Sequence, residues 1–330
     1  MRLRWLLPCL VLACAGEDVD PDPTGPDAIT LTFAEPTTGA SVVRDDLSAV
    51  GDLIASVPVQ LTIGGSPARV ELVAGTRAPV PVDATGAAVL ELDQAGAVTL
   101  TATAFDQAGA EAAVATTTLA VLEPEVTSCH EWLDLYGVTW ALAGANPGVD
   151  DPINATPPIG GIDYRYVENT SPRTRLFGDC QLILSLARAA PVLRRRGVTE
   201  VADIGVYNYR CIGGGTPPNC PNGISQHAYA MAIDIAGLTH EAGYASVLTD
   251  WVIDPADDTC TGAATEPGAD TFLHETICAL KAAGVWNIVL TPNYNADHRN
   301  HFHVDLTPGA DLIRGGGGRR PRIDVGPDRH

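Results

Sequence analysis

The residues best suited to chemistry lie in two short stretches, 225–235 and 298–306. The first reads SQHAYAMAIDI and places a histidine seven residues before an aspartate. The second reads HRNHFHVDL and supplies three histidines within six positions. Histidine nitrogens and carboxylate oxygens are ligands that zinc binds readily in proteins. Together the two stretches predict one metal site built from distant parts of the chain.

The spacing within the second stretch fits a β-strand. His301 and His303 are two residues apart, so a strand projects both side chains from one face, with Asp305 next in line. Phe302 and Val304 then point to the opposite face, which we expect to lie against the core. The strand thus presents its chemistry on one side and its apolar residues on the other.

The first stretch ends in a similar pattern. Ala230, Ala232 and Asp234 share one face of a predicted strand. If the two strands are neighbours, Asp234 meets His303, and His227 closes the site from the preceding loop. Two imidazoles and one carboxylate leave a coordination position for water, as in catalytic rather than structural zinc sites. Iron(II) held by the same three ligands is the chemical alternative.

The N-terminus has the pattern of an export signal. Arg2 and Arg4 precede an apolar run over residues 5–13, which is too short to span a bilayer as a helix. Residues 11–14 read Val-Leu-Ala-Cys and resemble a bacterial lipobox, in which Cys14 is lipidated and becomes the mature N-terminus. An ordinary signal peptide cleaved nearby is the alternative. We expect an exported protein of the bacterial cell envelope, lipid-anchored at the outer membrane or periplasmic face, or else secreted.

Cysteine usage agrees with export. Six cysteines remain after the signal region, and all lie beyond residue 125: Cys129, Cys180, Cys211, Cys220, Cys260 and Cys278. An even set in an exported domain predicts up to three disulfides, and the sequence does not choose their pairing. Zinc–thiolate binding is the alternative, but no C-x2-C pair is present. An oxidising compartment also disfavours iron(II) at the histidine site.

Composition divides the chain into segments. Residues 1–14 are the predicted lipoprotein signal peptide, and residues 15–27 form an acidic, proline-rich linker. Residues 28–123 contain six or seven short β-rich runs and no cysteine or histidine, which predicts an all-β immunoglobulin-like sandwich acting as a spacer or binding module. Its partner is not specified. Residues 124–314 carry the site, and residues 315–330 form a tail predicted to be disordered.

The second domain is predicted to be α+β, with two helices against a small, mostly antiparallel sheet. The helices cover residues 179–196 and 270–283, and Pro191 predicts a kink or an early end in the first. The strands cover residues 201–209, 230–236, 244–252, 286–290 and 301–306. The formal net charge of −20 argues against a nucleic-acid partner, whose phosphates require basic clusters.

The site motifs resemble those of known families. SQHAYAMAID resembles the S-x-H-x-x-G-x-A-x-D motif of zinc D-alanyl-D-alanine peptidases, which share a fold with lysostaphin-type endopeptidases and hedgehog domains. More closely, YNYRC, the SQH segment, the helix containing Cys278 and LTPNYNADHRNHFHVDL look, in that order, like the bacterial extensin-like C-terminal domain family. The resemblance covers roughly residues 128–310. It implies a hedgehog/D,D-peptidase-like fold, bound Zn²⁺ and a peptidoglycan peptide as substrate.

The resemblance also implies the metal ligands. His227, Asp234 and His303 match the zinc ligands of these peptidases, and Ser225 would orient the loop that carries the first of them. Asp305 lies next along the strand. We interpret it as a partner behind the site or a solvated acid rather than a fourth ligand.

Three further residues match catalytic positions. His301 matches the first histidine of the H-x-H pair, which acts as general base or stabilises the tetrahedral intermediate, and His298 matches an auxiliary active-site histidine. Arg210 follows a tyrosine, as in relatives whose arginine holds a substrate carboxylate or the developing oxyanion. Its alternative role is an ion pair with an acidic surface residue.

The sequence therefore predicts a zinc-dependent hydrolase of the D,D-carboxypeptidase or endopeptidase type, held at the membrane only through a lipid anchor. It departs from the motif in two ways. Ala230 stands where the motif has glycine, which predicts a tighter approach to the metal, and no E-x-x-W-H supplies a glutamate base. The alternative is a catalytically inactive wall-binding or adhesion lipoprotein that keeps the metal-site fold. A structural protein that depends mainly on its disulfides is a third hypothesis.

Overall fold

A computed structural model describes residues 28–254, 259–260 and 267–314. The predictions for the signal peptide with Cys14, the linker and the tail lie outside these residues. The chain divides into two compact units, the first containing residues 28–42 and 56–122 and the second containing residues 43–55 and those from 123 onward. Residues 43–55, which fall within the segment predicted as the sandwich, therefore group with the second unit.

Residues 28–122 are entirely β. The strands are β1 (Thr30–Glu35), β2 (Ala40–Val43), β3 (Asp46–Leu47), β4 (Leu53–Gly64), β5 (Arg69–Ala74), β6 (Val80–Pro81), β7 (Ala87–Leu92), β8 (Gly96–Phe105) and β9 (Glu111–Leu122). One sheet has the order β1-β4-β3, with β7 also paired to β4, and the other has the order β2-β9-β8-β5-β6. Both long central strands, β4 and β8, bury alternate residues. Each sheet therefore has one apolar face, and the prediction of an all-β segment is confirmed.

From residue 123 onward, the second unit mixes helices and strands. They are α1 (Cys129–Leu135), β10 (Trp140–Leu142), β11 (Pro152–Ala155), β12 (Asp163–Tyr166), β13 (Leu176–Asp179), α2 (Cys180–Arg195), β14 (Glu200–Gly205), β15 (Ala232–His240), β16 (Gly243–Ser246), α3 (Val247–Asp250), α4 (Ala269–Ala282), β17 (Ile288–Leu290), β18 (Phe302–Asp305) and β19 (Leu312–Arg314). Two 3₁₀ helices cover Gln226–Tyr229 and Ala296–His298.

The main sheet of this unit has seven strands in the order β12-β14-β15-β18-β17-β19, with β16 paired to β15. The pairs β12–β14 and β17–β19 are parallel, and the other pairs are antiparallel. The sheet is therefore mostly antiparallel, as predicted, but larger than expected. A second sheet, β10-β11-β13, was not predicted, because strands of three or four residues are too short to show an alternating pattern.

In helix α2 the local sequence pattern predicts the start of the helix correctly but not the effect of its proline. Asp179 caps its N-terminus, since the carboxylate accepts a hydrogen bond from the Gln181 amide at 3.0 Å. The helix continues through Pro191 to Arg195, so the alternative of an early end is wrong. Proline interrupts one backbone hydrogen bond at a cost of about 3 kcal/mol. Burial of most of one helix face, including Leu182, outweighs that loss.

The strand predicted over residues 244–252 is confirmed only in its first part. The segment predicted as a strand over residues 244–252 leaves the sheet after Ser246 and forms the helical turn α3. The Asp250 carboxylate accepts a hydrogen bond from the Ser246 amide at 2.7 Å, which stabilises that turn. A side-chain hydrogen bond thus outweighs the apolar pattern.

The six cysteines beyond residue 125 form the three disulfides that were predicted as the maximum. The pairs are Cys129–Cys180, Cys211–Cys220 and Cys260–Cys278, as expected for an exported domain. The first joins the starts of α1 and α2, and the second closes the loop before the first histidine motif. Within the residues described above, no helix is both long and apolar enough to cross a membrane.

Candidate metal centre

The two histidine motifs meet across neighbouring strands. In the antiparallel pair β15–β18, Asp234 lies directly opposite His303. His227 lies in the 3₁₀ helix of Gln226–Tyr229, just before β15. Phe302 and Val304 are buried in the core, as the alternation predicted. A histidine, an aspartate and a second histidine are thereby brought to one place from positions far apart in sequence.

Hydrogen bonds fix both the backbone and the ring of His227. Its backbone amide donates a hydrogen bond to Ser225 Oγ at 3.3 Å, so this serine orients the turn that carries His227. The ring nitrogen Nδ1 lies 2.7 Å from the carbonyl oxygen of Val206, the residue that follows β14. The residue is only 3% exposed. Its ring therefore has one available orientation, with Nε2 directed at Asp234.

Ala230, which stands where the motif has glycine, adopts an unusual backbone conformation. It ends the 3₁₀ helix with φ = 53° and ψ = 30°, in the left-handed region that favours glycine. It precedes β15 and does not lie on the strand face predicted for it. No other non-glycine residue in the described part of the chain has a positive φ. A glycine at this position would adopt the same conformation without strain, so a backbone requirement explains the glycine of the motif.

The three ligand atoms form a compact triangle. Asp234 Oδ1 lies 3.1 Å from His227 Nε2 and 2.9 Å from His303 Nδ1, and the two nitrogens are 3.2 Å apart. Zinc bonds of about 2.0–2.1 Å in a tetrahedron place neighbouring ligand atoms about 3.3 Å apart. The triangle is a few tenths of an ångström smaller than that. A small outward movement of the side chains would therefore fit a zinc ion.

The hydrogen-bond partners of the His227 and His303 rings determine which ring nitrogens carry a hydrogen and which carry a lone pair. Because the Val206 carbonyl can only accept, His227 Nδ1 must carry its hydrogen. His303 Nε2 lies 2.9 Å from Asp305 Oδ2 and donates to it in the same way. In neutral rings the two nitrogens facing Asp234 therefore carry lone pairs. Three lone-pair atoms in such close contact repel one another unless a cation lies among them.

Protonation of the His303 ring is one way to place a positive charge among these three atoms. Burial by itself lowers the pKa of His303, but hydrogen bonds to Asp234 and Asp305 outweigh it and raise the pKa to about 9. Burial alone would raise the pKa of Asp234, but the hydrogen bonds and positive charge of His227 and His303 hold it well below its ordinary value. A metal ion would replace the proton, and Asp305 would then orient His303 from behind.

The two auxiliary histidines lie beside the triangle. His301 Nε2 is 3.4 Å from Asp234 Oδ1, and its Nδ1 is 2.9 Å from Asn300 Oδ1. Burial lowers the pKa of His301, which keeps the ring neutral near pH 7. The His298 ring centroid lies 5.2 Å from that of His301. Burial, together with the charges of His301 and His303, lowers the pKa of His298 to about 4. Both rings are therefore neutral at pH 7, and the low pKa of His298 makes it a weak base.

Arg210 is the third residue predicted to have a catalytic role. It is partly buried, and its backbone carbonyl accepts a hydrogen bond from the Ser225 amide at 3.1 Å. Its charge contributes to the lowered pKa of His301, which places the guanidinium within electrostatic reach of that ring. No ion pair with an acidic residue forms among the described residues, so the surface-pair alternative has no support there.

Comparison with known proteins gives one informative match. Residues 183–312 match the extensin-like protein C-terminus family. The extensin-like segment begins within α2 and ends in β19. It contains all three candidate ligands, together with His298, His301 and Arg210. No curated protein matches the chain. Among solved structures, fibronectin(III)-like modules of CbhA from Clostridium thermocellum match at 10% identity and a TM-score of 0.23, over 29% of this chain and 99% of that one.

A second group of potential ligand atoms, from His130, Asp151 and Cys180, lies outside the extensin-like segment. Cys180 is bonded to Cys129 and has no free thiolate. His130 stacks on the Trp140 ring and bonds Asp151 at 3.1 Å. This group therefore has a structural role. Sequence analysis missed the Val206 carbonyl that orients the first ligand, since a backbone acceptor has no signature in side-chain pattern.

Proposed function

We propose that residues 124–314 form a zinc-dependent hydrolase that cleaves amide bonds in peptidoglycan peptides, of the D,D-carboxypeptidase or endopeptidase type. The supporting observation is the convergence of three lone-pair atoms on His227, Asp234 and His303, each ring oriented by an acceptor behind it. When bound, zinc would lower the pKa of a water molecule and polarise a carbonyl group. The substrate class follows from the resemblance of the two motifs to those of D-alanyl-D-alanine peptidases.

The roles of the surrounding residues follow from their charge states. His301 is neutral and lies beside the ligand triangle, so it takes the proton from the attacking water and returns it to the leaving amine. Arg210 supplies a fixed positive charge within electrostatic reach of His301 and stabilises the oxyanion that forms on the attacked carbonyl. His298 packs against His301 and holds its ring in place.

The remaining parts of the chain complete the proposal. Export with lipidation at Cys14 would hold the hydrolase at the cell envelope. An immunoglobulin-like arrangement of the two N-terminal sheets would serve as a spacer, and the second unit would adopt a hedgehog/D,D-peptidase-like fold. These assignments rest on sequence patterns and on the all-β character of the first unit.

Zinc content and peptide release together test the proposal. The purified protein should hold about one zinc ion per chain and release peptide from muropeptides. Asp234→Asn should lose both, because the variant has no carboxylate ligand, whereas the exposed Asp150→Asn should keep both. Zinc binding without release, together with binding to intact sacculi, would instead establish the inactive wall-binding lipoprotein. Absence of zinc from the folded wild type would reject the metal site.

A further inference from the structure

The His298 side chain lies beside the three candidate ligands without belonging to their triangle. Its ring centroid is 5.2 Å from that of His301 and 5.9 Å from that of His303. The ring also packs edge-on against Tyr294, with the two centroids 5.4 Å apart. These contacts determine where the ring lies. They do not determine which of its two nitrogens carries the hydrogen.

The side chain of Asn295 decides where that hydrogen is. Asn295 caps the 3₁₀ helix of Ala296–His298, since its Oδ1 atom accepts a hydrogen bond from the Asp297 backbone amide at 3.0 Å. A backbone N–H can only donate, so the atom at this position must be the oxygen of the side-chain amide and not its nitrogen. The same Oδ1 atom lies 2.6 Å from His298 Nδ1. Nδ1 must therefore donate, and in the neutral ring Nε2 carries the lone pair.

The loop that ends at Asn295 is anchored in the core. Asn293 is only 3% exposed, and its Oδ1 atom accepts hydrogen bonds from Trp251 Nε1 at 3.0 Å and from the Asp254 backbone amide at 2.9 Å. The indole of Trp251 also packs edge-on against the Phe302 ring of β18, with the centroids 5.1 Å apart. The loop and the strand that carries the second histidine motif thus share one buried support.

The Nε2 atom of His298 is the ring nitrogen left for a ligand. Within the described part of the chain it has no hydrogen-bond partner. The two ligand histidines are oriented in a similar way, because an oxygen atom holds one nitrogen of each ring and leaves the other for the site. A lone pair on Nε2 can accept a hydrogen bond from an N–H donor. A peptide supplies such a donor at every residue except proline.

We propose that Asn295 is a positioning residue that holds His298 in a single tautomer, so that His298 Nε2 accepts a hydrogen bond from a backbone N–H of the bound peptide. The peptide as ligand rests on the proposed function, whereas the tautomer does not. Without the Asn295 oxygen, the hydrogen could move from Nδ1 to Nε2. The ring would then present a donor to the donor of the peptide, and the hydrogen bond between them would be lost.

Nitrogen-15 NMR of the imidazole rings measures the tautomer directly. Long-range ¹H–¹⁵N spectra of the full-length protein with labelled histidine are recorded at about pH 8, and His298→Gln identifies the signals of this ring. In the wild type we expect a protonated Nδ1 and an unprotonated Nε2.

Two substitutions of Asn295 separate the tautomer from the helix cap. Asn295→Ser keeps an oxygen that can cap the 3₁₀ helix but shortens the side chain, so the signals should change to those of a mixture of both tautomers. Asn295→Asp keeps the acceptor at its full length and should retain the wild-type tautomer. Asn169→Ser removes an exposed asparagine from the loop after β12 and should change nothing.

Peptide cleavage tests the role of Nε2. Asn295→Ser should lower kcat/KM for muropeptides by about three- to tenfold, as expected for the loss of one hydrogen bond, with zinc content unchanged. Asn295→Asp should recover at least about half of the wild-type value. A purely structural role of Asn295 would not make activity follow the tautomer in this way.

Three results would overturn the proposal. They are a wild-type His298 with its hydrogen on Nε2, an unchanged tautomer in Asn295→Ser, and full kcat/KM in an Asn295→Ser variant whose tautomer has changed. The expected tautomers in a protein that releases no peptide would support positioning by Asn295 and reject only the hydrolase. In that case the same three- to tenfold loss is expected in peptide affinity measured by calorimetry, and equal affinities would overturn the role of Nε2.

Discussion

His303 stands directly opposite Asp234 across two antiparallel strands, with Nδ1 and Oδ1 2.9 Å apart. The two residues are 69 positions apart in sequence, so only strand register brings them together. A slip of one residue would turn all side chains of one strand to the opposite face. The core residues Ile233 and Val304, which are also paired, oppose such a slip. Burial of the apolar face therefore also sets the geometry of the metal ligands.

The hydrogen bond from His303 Nε2 to Asp305 predicts that this carboxylate strengthens zinc binding. Asp305→Asn keeps the shape of the side chain but removes the charge that orients the ring and increases its basicity. We expect zinc affinity to fall by about 10–100-fold, as for other carboxylate–histidine–metal arrangements. Competition with a chromophoric chelator would measure it, with Asp150→Asn as the matched control. Unchanged affinity would mean that the charge of Asp305 does not contribute to zinc binding.

The raised pKa of His303 predicts that zinc binding depends on pH. In the metal-free protein its pKa of about 9 lies above 7, so the ring is protonated at neutral pH. Zinc requires the neutral nitrogen, and binding should therefore release about one proton per ion at pH 7. Apparent affinity should rise about tenfold per pH unit until about pH 9. Calorimetry in two buffers of different ionisation enthalpy would detect the proton, and identical heats in both buffers would contradict the assignment.

His301 and the ligand His303 should respond differently to the same substitution. His301→Gln should retain zinc but lower kcat by about 10²–10⁴-fold, because a general base is lost while the three ligands remain. His303→Gln should lose zinc and activity together. Steady-state cleavage of muropeptides and metal analysis on the same preparations would measure both effects. A His301→Gln variant with full activity would assign the proton transfer to another group.

The left-handed conformation of Ala230 predicts an unusual tolerance of glycine. Ala230→Gly relieves about 1–2 kcal/mol of backbone strain but loses about 0.8 kcal/mol of methyl burial and adds about 0.5–1 kcal/mol of chain entropy, so stability should change by no more than about 1 kcal/mol. Ala232 is equally buried but lies within β15. Ala232→Gly loses the methyl burial and adds about 0.5–1 kcal/mol of chain entropy, so it should destabilise by about 1–2 kcal/mol. Chemical denaturation would compare the two variants, and equal losses would argue against strain at Ala230.

Much of the second unit was predictable because its signals are local. The alternation in HFHVD predicted β18 with its two buried apolar residues, and Asp179 predicted the start of α2. The number of disulfides followed from an even cysteine count. The signals failed where a distant or weak contact decided the outcome. The hydrogen bond from the Ser246 amide to Asp250 ended β16, and packing carried α2 past Pro191.

The sequence alone determined which residue types and spacings are present to bind a metal, because side-chain periodicity along a strand depends only on local geometry. Only the tertiary structure decided that Asp234 and His303 pair and that the Val206 carbonyl orients His227. These relations depend on strand register and on backbone acceptors, which leave no pattern in a single sequence. The same reason explains Ala230: its strain is a property of the backbone angle that the fold imposes.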